Sequence, residues 1–286
     1  MLVSWNLFLQ SFSSPMLDKI FLLFSYLGNE LIFMAVVAAI YLCIDKEKGL
    51  HLAISLFSSF TLNSGIKDFL KIPRPFEYND LLRRIDLTMS PGYSFPSAHA
   101  QMSSSMAVGI TRYYRKIGVF CCILALLIGI SRIYLGVHTP VDICAGFVLG
   151  ILWTLFSIYL SQRLIKRRKY LLLLYLFPCY LFYFWHHDEN LLKLTAVFTS
   201  FLIGYLIEDT YLHYSASLKL HAGLKMVLLL VGCAAIKIPL KLLLPDIPLC
   251  IYFSYFLLGL WISLFCPWLL LILKQKKSRN DNAVLK

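Results

Sequence analysis

The chain has 286 residues, of which 59% are hydrophobic and 15% charged, and its mean hydropathy is +0.73. A soluble domain is not this apolar, so the composition predicts a polytopic membrane protein with no sizeable soluble part. The net charge of +12 does not indicate nucleic-acid binding, because the basic residues stand in short loops between apolar runs, where they bias orientation and meet anionic lipid.

Nine apolar runs predict an all-α polytopic bundle of about nine transmembrane helices, the third of which is short. In chain order the runs span roughly residues 17–44, 50–70, 98–112, 117–136, 140–162, 170–186, 191–208, 223–244 and 249–273. An odd number of spans places the two termini on opposite sides of the membrane. No repeat or linker separates the runs, so we expect a single membrane domain over residues 1–286 with a polar tail over 274–286.

The loops between the runs differ in charge, and this difference predicts the orientation. Lysine and arginine concentrate in alternate loops, which the positive-inside rule assigns to the cytoplasm. These loops contain Lys46 and Lys48; Arg112, Arg115 and Lys116; Lys166–Lys169; Lys219 and Lys225; and Lys274–Arg279. The N-terminus is then outside, the C-terminus is cytoplasmic, and the long segment 71–97 is outside.

The first polar cluster on the predicted outer side is cationic. Lys67 ends the second run and is followed by Arg74, whose flanking Pro73 and Pro75 keep the backbone extended. Together with Arg132 further along, these cations can each bind a phosphate oxygen. Each cation taken alone has an alternative, which is that it snorkels to lipid headgroups.

The second cluster is Pro96-Ser97-Ala98-His99, which opens the third run. We expect a helix to begin here, so that the Ser97 hydroxyl and free backbone N–H groups, that of Ala98 included, form an anion-binding end. His99 stands at the water boundary, where it can protonate a leaving oxygen and later deprotonate water. Taken alone, a histidine at this boundary is more often a solvated residue.

The third cluster is Ser131-Arg132 followed by His138 and Asp142. Thr139 and Pro140 resemble an N-cap and a first helical residue, which predicts a helix that begins at His138 with its positive end toward a phosphate. Asp142, one turn further, can reach the second ring nitrogen of His138 and set its tautomer. A satisfied structural pair is the alternative for these two residues alone.

Together the three clusters contain a cationic phosphate clamp, two histidines and an orienting carboxylate. This is the set that phosphoryl transfer through a phosphohistidine requires. Structural readings of single clusters do not explain why all three fall on one membrane face. The eight cysteines form no C-x-x-C pair and have no histidine at zinc spacing, so we expect free thiols, no metal site and no cofactor.

These motifs resemble those of the type 2 phosphatidic acid phosphatase superfamily, over about residues 55–160. The family signature is lysine, six residues, Arg-Pro; then Pro-Ser-Gly-His; then Ser-Arg, five residues, histidine, three residues and aspartate, and every polar member matches. The resemblance implies that His138 is the nucleophile, Asp142 its partner and His99 the general acid and base. The phosphate-binding residues that it implies are Lys67, Arg74, Ser97, Ala98 and Arg132.

The chain departs from the family pattern in two ways. Ala98 stands where the family usually has glycine, which costs about 1 kcal/mol or more if the position needs a positive φ. The family core is usually six helices, corresponding here to about 17–186, whereas three more runs follow over about 191–273. That longer C-terminal half is similar to sphingosine-phosphate phosphatases and some bacterial members, so the substrate does not carry over from the core motifs.

The residues and the resemblance predict a metal-independent lipid phosphatase in a cell membrane, of the bacterial inner-membrane kind, acting at the extracytoplasmic face. Transfer of the same phosphoryl group to an acceptor lipid or sugar would make it a phosphotransferase, and a catalytically silent lipid-binding or transport protein is the third alternative. The substrate is a membrane lipid phosphate or diphosphate whose identity stays open, as does the oligomeric state. Lys237 and Lys241 share one face of the eighth run and are candidates for contact with headgroups, against simple snorkelling.

Overall fold

The structure, a computed structural model, describes residues 3–85, 92–164, 167–186, 189–218 and 220–284. Over these residues the chain forms helices and turns and no strand, as the sequence predicts. The helices are α1 (Ser4–Ser11), α2 (Pro15–Leu27), α3 (Glu30–Ala39), α4 (Lys46–Leu70), α5 (Pro75–Tyr78), α6 (Ala98–Tyr113), α7 (Arg115–Tyr134), α8 (Pro140–Leu164), α9 (Arg168–His186), α10 (Glu189–Tyr211), α11 (Ala222–Leu243), α12 (Pro248–Leu260) and α13 (Cys266–Val284). Two π-helical segments, Ile40–Ile44 and Trp261–Phe265, follow α3 and α12.

Five helical stretches of the described chain are long and apolar enough to cross a membrane: α7, α8, α10, α11 and Pro248–Gln275. The first predicted run consists of α2 and the stretch Glu30–Ile44, which are bent by 48° and would make a sixth span if the pair counts as one. Helix α6 is 16 residues long, shorter than a typical span of about 20. Nine spans and their orientation therefore stay predictions. Of the predicted loops, residues 86–91, 165–166, 187–188 and 219 lie outside the described residues.

The helices divide into two compact units. The first comprises the chain up to Val36 and His51–Arg163, and the second comprises Val37–Leu50 and the chain from Leu164 onward. Every residue that the sequence predicts for the site lies in the first unit. The expectation of a single membrane domain stays a prediction.

Helix α4 carries many polar residues, and their partners within the first unit explain why they are buried. The Nδ1 atom of His51 lies 2.7 Å from Oγ of Ser161, and the Ser55 hydroxyl donates to that of Thr154 at 3.1 Å. Buried hydroxyls that pair across helices satisfy one another in an apolar surrounding. These bonds hold α4 against α8 and so determine where Lys67, near the C-terminal end of α4, stands.

Two glycines one turn apart bring α6 and α8 into close approach. A Cβ atom on Gly146 would lie 2.6 Å from the carbonyl oxygen of Ser97, and one on Gly150 would lie 2.3 Å from that of Gln101. Small residues at i and i+4 allow helix backbones to approach in this way. The approach places the start of α6, with Ser97 and His99, beside the start of α8.

The break between α2 and α3 lies against the same region. Gly28 ends α2, and Asn29 accepts a hydrogen bond from the backbone N–H of Leu31 at 2.8 Å, so α3 has its own cap. A Cβ atom on Gly28 would lie 2.7 Å from Cγ2 of Ile128 and 3.0 Å from Cδ2 of His99. Glycine at the break therefore leaves room for the His99 ring.

In the second unit α10 is the most buried span, packed against α12. A Cβ atom on Gly259 would lie 2.4 Å from the carbonyl oxygen of Val197, so α12 approaches the α10 backbone closely. Lys46 forms an ion pair of 2.8 Å with buried Glu208, near the C-terminal end of α10. Lys225 donates to the carbonyl of Leu42, in the first π-helical segment, at 3.3 Å. Each of these polar groups thus has a partner within the unit.

Candidate active site

The loop that carries His138 joins α7 to α8. The Thr139 hydroxyl accepts a hydrogen bond from the N–H of Asp142 at 3.3 Å, and the Asp142 carboxylate accepts one from the N–H of Thr139 at 2.7 Å. This reciprocal pair is a capping box, with Pro140 as the first helical residue. The expected helix start beside His138 is therefore confirmed.

The two ring nitrogens of His138 face different partners. Nδ1 lies 3.6 Å from Oδ2 of Asp142 and 3.4 Å from Oγ of Ser94, and the Ser94 hydroxyl donates to Oδ2 at 2.7 Å. The predicted approach of Asp142 to the second ring nitrogen is present, at a distance longer than a hydrogen bond, and Ser94 lies close to both groups. Serine can accept from Nδ1–H while it donates to the carboxylate, because a hydroxyl does both.

Nε2 of His138 lies 3.3 Å from Nη1 of Arg74. A guanidinium can only donate, so Nε2 is the acceptor and Nδ1 carries the proton. The lone pair of Nε2 is thereby directed toward a cation. This is the tautomer that a nucleophile acting through Nε2 requires.

The three predicted cations are held by backbone and hydroxyl acceptors. Arg74 donates to the carbonyls of Gly92 at 2.8 Å and Val137 at 3.0 Å. Lys67 donates to the carbonyls of Tyr93 and Ser94, the latter at 3.3 Å. Buried Arg132 donates to the hydroxyl of Ser25 in α2. A phosphate binds guanidinium in forked fashion, so the grouping of these three cations suits an anionic ligand.

Burial and mutual repulsion set the protonation of the groups in the loops. Burial first, and then the charge of Arg132, lowers the pKa of Arg74 to about 10. Burial first, and then the charges of Arg74, Lys67 and Arg132, lowers the pKa of His138 well below its usual range. The site therefore concentrates positive charge around a neutral imidazole. An anion that enters relieves the repulsion among the cations.

Ser97, Ala98 and His99 stand at the start of α6, as the sequence predicts. Ser97 is the N-cap and accepts from the N–H of Ala100 at 3.5 Å. Ala98 is the first helical residue, and in the described chain the non-glycine residues with positive φ are Lys71 and His213. Alanine in place of glycine therefore carries no left-handed strain at position 98.

His99 has a buried ring nitrogen that no other described atom satisfies. Its Nε2 has no hydrogen-bond partner. An orphaned buried nitrogen is costly unless a ligand or water completes it. This observation fits a group that acts on a substrate oxygen.

Several residues that hold the site were missed by the sequence reasoning. The amide of Asn6, in α1, donates to the carbonyl oxygens of Ile133 and His138, both at 2.8 Å, and Gln10 donates to that of Tyr134 at 2.8 Å. Ser25, which accepts from Arg132, and Ser94, which donates to Asp142, were missed as well. A sign was available for α1, because Asn6 and Gln10 lie one turn apart in an otherwise aromatic and apolar helix. Nothing local marks Ser25 or Ser94.

Within the described residues, no three His, Cys, Asp or Glu side chains are grouped so as to hold a metal ion. The eight cysteines are free thiols; we expected them to be buried, which holds for Cys179 and Cys266, whereas Cys122 and Cys144 are exposed.

Comparisons with known proteins place this site in context. A family model described as PAP2 superfamily matches residues 48–166, which contain all three clusters, and one described as PAP2 superfamily phosphatase, transmembrane extension, matches residues 192–278. Bacitracin transport permease protein BcrC of Bacillus licheniformis is 41% identical over 71 residues, 25% of this chain and 35% of that protein. Undecaprenyl-diphosphatase of Sulfolobus acidocaldarius is 30% identical over 136 residues, 47% of this chain and 66% of that protein.

Among solved structures, the crystal structure of Aquifex aeolicus LpxE aligns with a TM-score of 0.50 and 26% identity, over 54% of this chain and 92% of that chain. The chain thus spans about a third of the first of these curated relatives and just under two thirds of the second.

Proposed function

The chain belongs to the PAP2 superfamily, and on this premise we propose that it hydrolyses a membrane lipid phosphate or diphosphate through a phosphohistidine on His138. The observation that carries the proposal is the orientation of this ring. Nε2 faces Arg74 while Nδ1 faces Ser94 and Asp142, so the nucleophilic nitrogen is directed to the side where a phosphate would meet the cations.

In the first step Nε2 of His138 attacks phosphorus, and the bond to the leaving oxygen breaks. His99 gives its proton to that oxygen, so the lipid leaves as a neutral alcohol or, from a diphosphate, as a monophosphate. The Nδ1–H of His138 stays hydrogen bonded to Ser94, and the nearby Asp142 carboxylate stabilises the positive charge that the ring acquires. Arg74, Lys67 and Arg132 neutralise the charge on the phosphoryl oxygens.

In the second step water attacks the phosphorus of the phosphohistidine. His99, now neutral, accepts a proton from this water, and the P–N bond breaks with its electron pair returning to Nε2. Inorganic phosphate leaves and both histidines regain their starting states. Because three side-chain cations supply the positive charge, we expect activity to survive EDTA and to be inhibited by vanadate, which adopts the geometry of the transition state.

The side of the membrane follows from the loop charges. The site residues stand at helix ends that the positive-inside rule assigns to the extracytoplasmic side of nine spans. Several cations kept there against the topological bias support an anionic substrate at that face. We therefore propose a multi-pass protein of a bacterial inner membrane. The name of the Sulfolobus relative makes a polyprenyl diphosphate the first substrate to test.

The test is phosphate release by purified protein in detergent from a panel containing phosphatidic acid, phosphatidylglycerophosphate, undecaprenyl diphosphate, a sphingoid phosphate and lipid A. His138→Ala should abolish release. A matched control is His213→Asn, since His213 is exposed and asparagine tolerates its φ of 52°. Near-normal release by His138→Ala would contradict the mechanism, and no release from any substrate by the native protein would contradict the proposed activity.

A further inference from the structure

The second unit contains a cavity of about 360 Å³ that the proposed reaction does not use. It lies where the start of α10, the end of α11 and the start of α12 meet, and Lys193, Lys237, Lys241 and Tyr255 are among its lining residues. A volume of this size is within the range of small-ligand sites, which is about 300–1,000 Å³. The cavity can therefore accept a group as large as a phosphate with its substituents.

The charges on the cavity wall favour an anion. Lys193 pairs with Glu189 at 2.5 Å, which leaves Lys237 and Lys241 facing a single further carboxylate, that of Asp246. Within the described residues, neither Lys237 nor Lys241 makes an ion pair. Like charges one helical turn apart repel each other, so this pair on α11 is disfavoured until an anion lies between them.

Tyr255 holds one of these lysines in place. The Nζ atom of Lys237 lies 3.6 Å from the centre of the Tyr255 ring. A cation over an aromatic face is attracted to it and loses part of its freedom to swing into solvent. Simple snorkelling would leave the ammonium group mobile in water or among headgroups, whereas here it is seated on the wall of a cavity.

The wall of the cavity also carries apolar side chains. Leu240, Leu244 and Ile251 line it together with the lysines. Apolar side chains beside cationic groups suit a ligand with a charged head and apolar chains. A soluble anion would gain nothing from them.

We propose that this cavity binds the phosphate group of an anionic phospholipid, with Lys237 and Lys241 on the phosphate and the acyl chains along Leu240, Leu244 and Ile251. None of its lining residues belongs to the proposed reaction centre, and it takes a phosphodiester lipid that need not be a substrate. Binding is measured directly, so its failure is distinguishable from a failure of the phosphatase activity.

The test uses the purified full chain in detergent and native mass spectrometry, titrated with dioleoyl phosphatidylglycerol. Dioleoylglycerol, which has the same chains without phosphate, and inorganic phosphate are the comparison probes. The double variant Lys237→Gln with Lys241→Gln should weaken binding of the most tightly bound phosphatidylglycerol molecule about tenfold or more, since two charge-assisted contacts are lost. The control is Lys19→Gln with Lys116→Gln, which removes the same charge from two exposed lysines of the other unit.

Two further variants keep the test decisive if the double variant does not fold. Lys237→Arg with Lys241→Arg should retain binding, and Asp246→Asn, on an exposed loop, should tighten it. Unchanged binding in both the Gln pair and Asp246→Asn would overturn the proposal, as would an equal loss in the control pair. Binding of inorganic phosphate with no preference for phosphatidylglycerol over dioleoylglycerol would overturn the lipid assignment and indicate a soluble anion site.

Discussion

His138 is buried and His99 is half-buried with a buried Nε2, and the partners of the two rings suit them to different steps of the reaction. Each nitrogen of the His138 ring has a defined partner, whereas Nε2 of His99 has none among the described residues. A ring with a partner at each nitrogen is held in one orientation, which suits a nucleophile that attacks phosphorus from one direction. A ring with an open nitrogen is suited to exchange a proton with a substrate oxygen or a water.

The first prediction at this scale separates the two histidines. With p-nitrophenyl phosphate, whose leaving group needs little protonation, His99→Ala should still form the phosphoenzyme but hydrolyse it about 10²–10⁴-fold more slowly. A quench in detergent at alkaline pH, where the P–N bond is stable, should therefore show label from a ³²P-labelled ester retained on His99→Ala and none on His138→Ala. Retention of label by His138→Ala would identify a different nucleophile.

The second prediction concerns pH. Burial and three nearby cations lower the pKa of His138, so the neutral, nucleophilic ring persists as the pH falls through about 6.5, the usual histidine value. The acid limb of kcat/KM, which reports protonation of His138, should then lie below 6.5. An alkaline limb reports loss of the proton that His99 donates. The measurement is kcat/KM from pH 4.5 to 8 for two esters whose phosphates differ in acidity. An acid limb near 6.5 that stays fixed for both esters would contradict the lowered pKa.

At the scale of elements, α1 holds in place the backbone of the loop that carries His138. Its aromatic residues are exposed, 61% for Trp5 and 54% for Phe8, while Asn6 is fully buried and bonded to the carbonyl of His138. Exposed aromatic residues are typical of a segment that lies in the membrane interface. The buried amides show that the same helix also holds the backbone that positions the nucleophile.

The third prediction follows from the hydrogen bonds that Asn6 donates to this backbone. Asn6→Leu removes two hydrogen bonds and leaves two carbonyls short of a donor, each worth about 1–3 kcal/mol when buried. We expect kcat to fall at least tenfold with little change in KM, because the cations that bind phosphate stay in place. Ser11→Ala on the same helix, at an exposed position, is the control and should match the native enzyme. A rise in KM alone would place Asn6 in substrate binding instead.

At the scale of the whole molecule, the loop charges predict the orientation in the membrane. The helices alone do not decide it. The fourth prediction is that a cysteine at Asp80 lies outside and one at Arg167 lies in the cytoplasm. Both positions are exposed, and the background should lack the exposed Cys122 and Cys144. On intact cells an impermeant maleimide should label only the first. Labelling of position 167 alone would invert the topology and place the site in the cytoplasm.

The sequence by itself determined the membrane class, the all-helical fold over the described residues and the two helix starts at Ala98 and Pro140. These properties depend on composition, apolar run length and capping residues, which act within a few positions of one another. The three clusters could be identified for the same reason, since their spacing is itself local. The number of spans was harder to predict, because α4 is polar and the first run is bent, and both features depend on neighbours in the bundle.

Only the tertiary structure decided what stands around the nucleophile. The bond from Asn6 to His138 joins residues 132 positions apart, and that from Arg132 to Ser25 joins residues 107 positions apart. Ser94 meets both His138 and Asp142, from which it is 44 and 48 positions away, and the glycine at the break of the first run leaves room for His99. Such contacts arise when helices pack and their buried polar groups must find partners, and no pattern of neighbouring residues records which partners those will be.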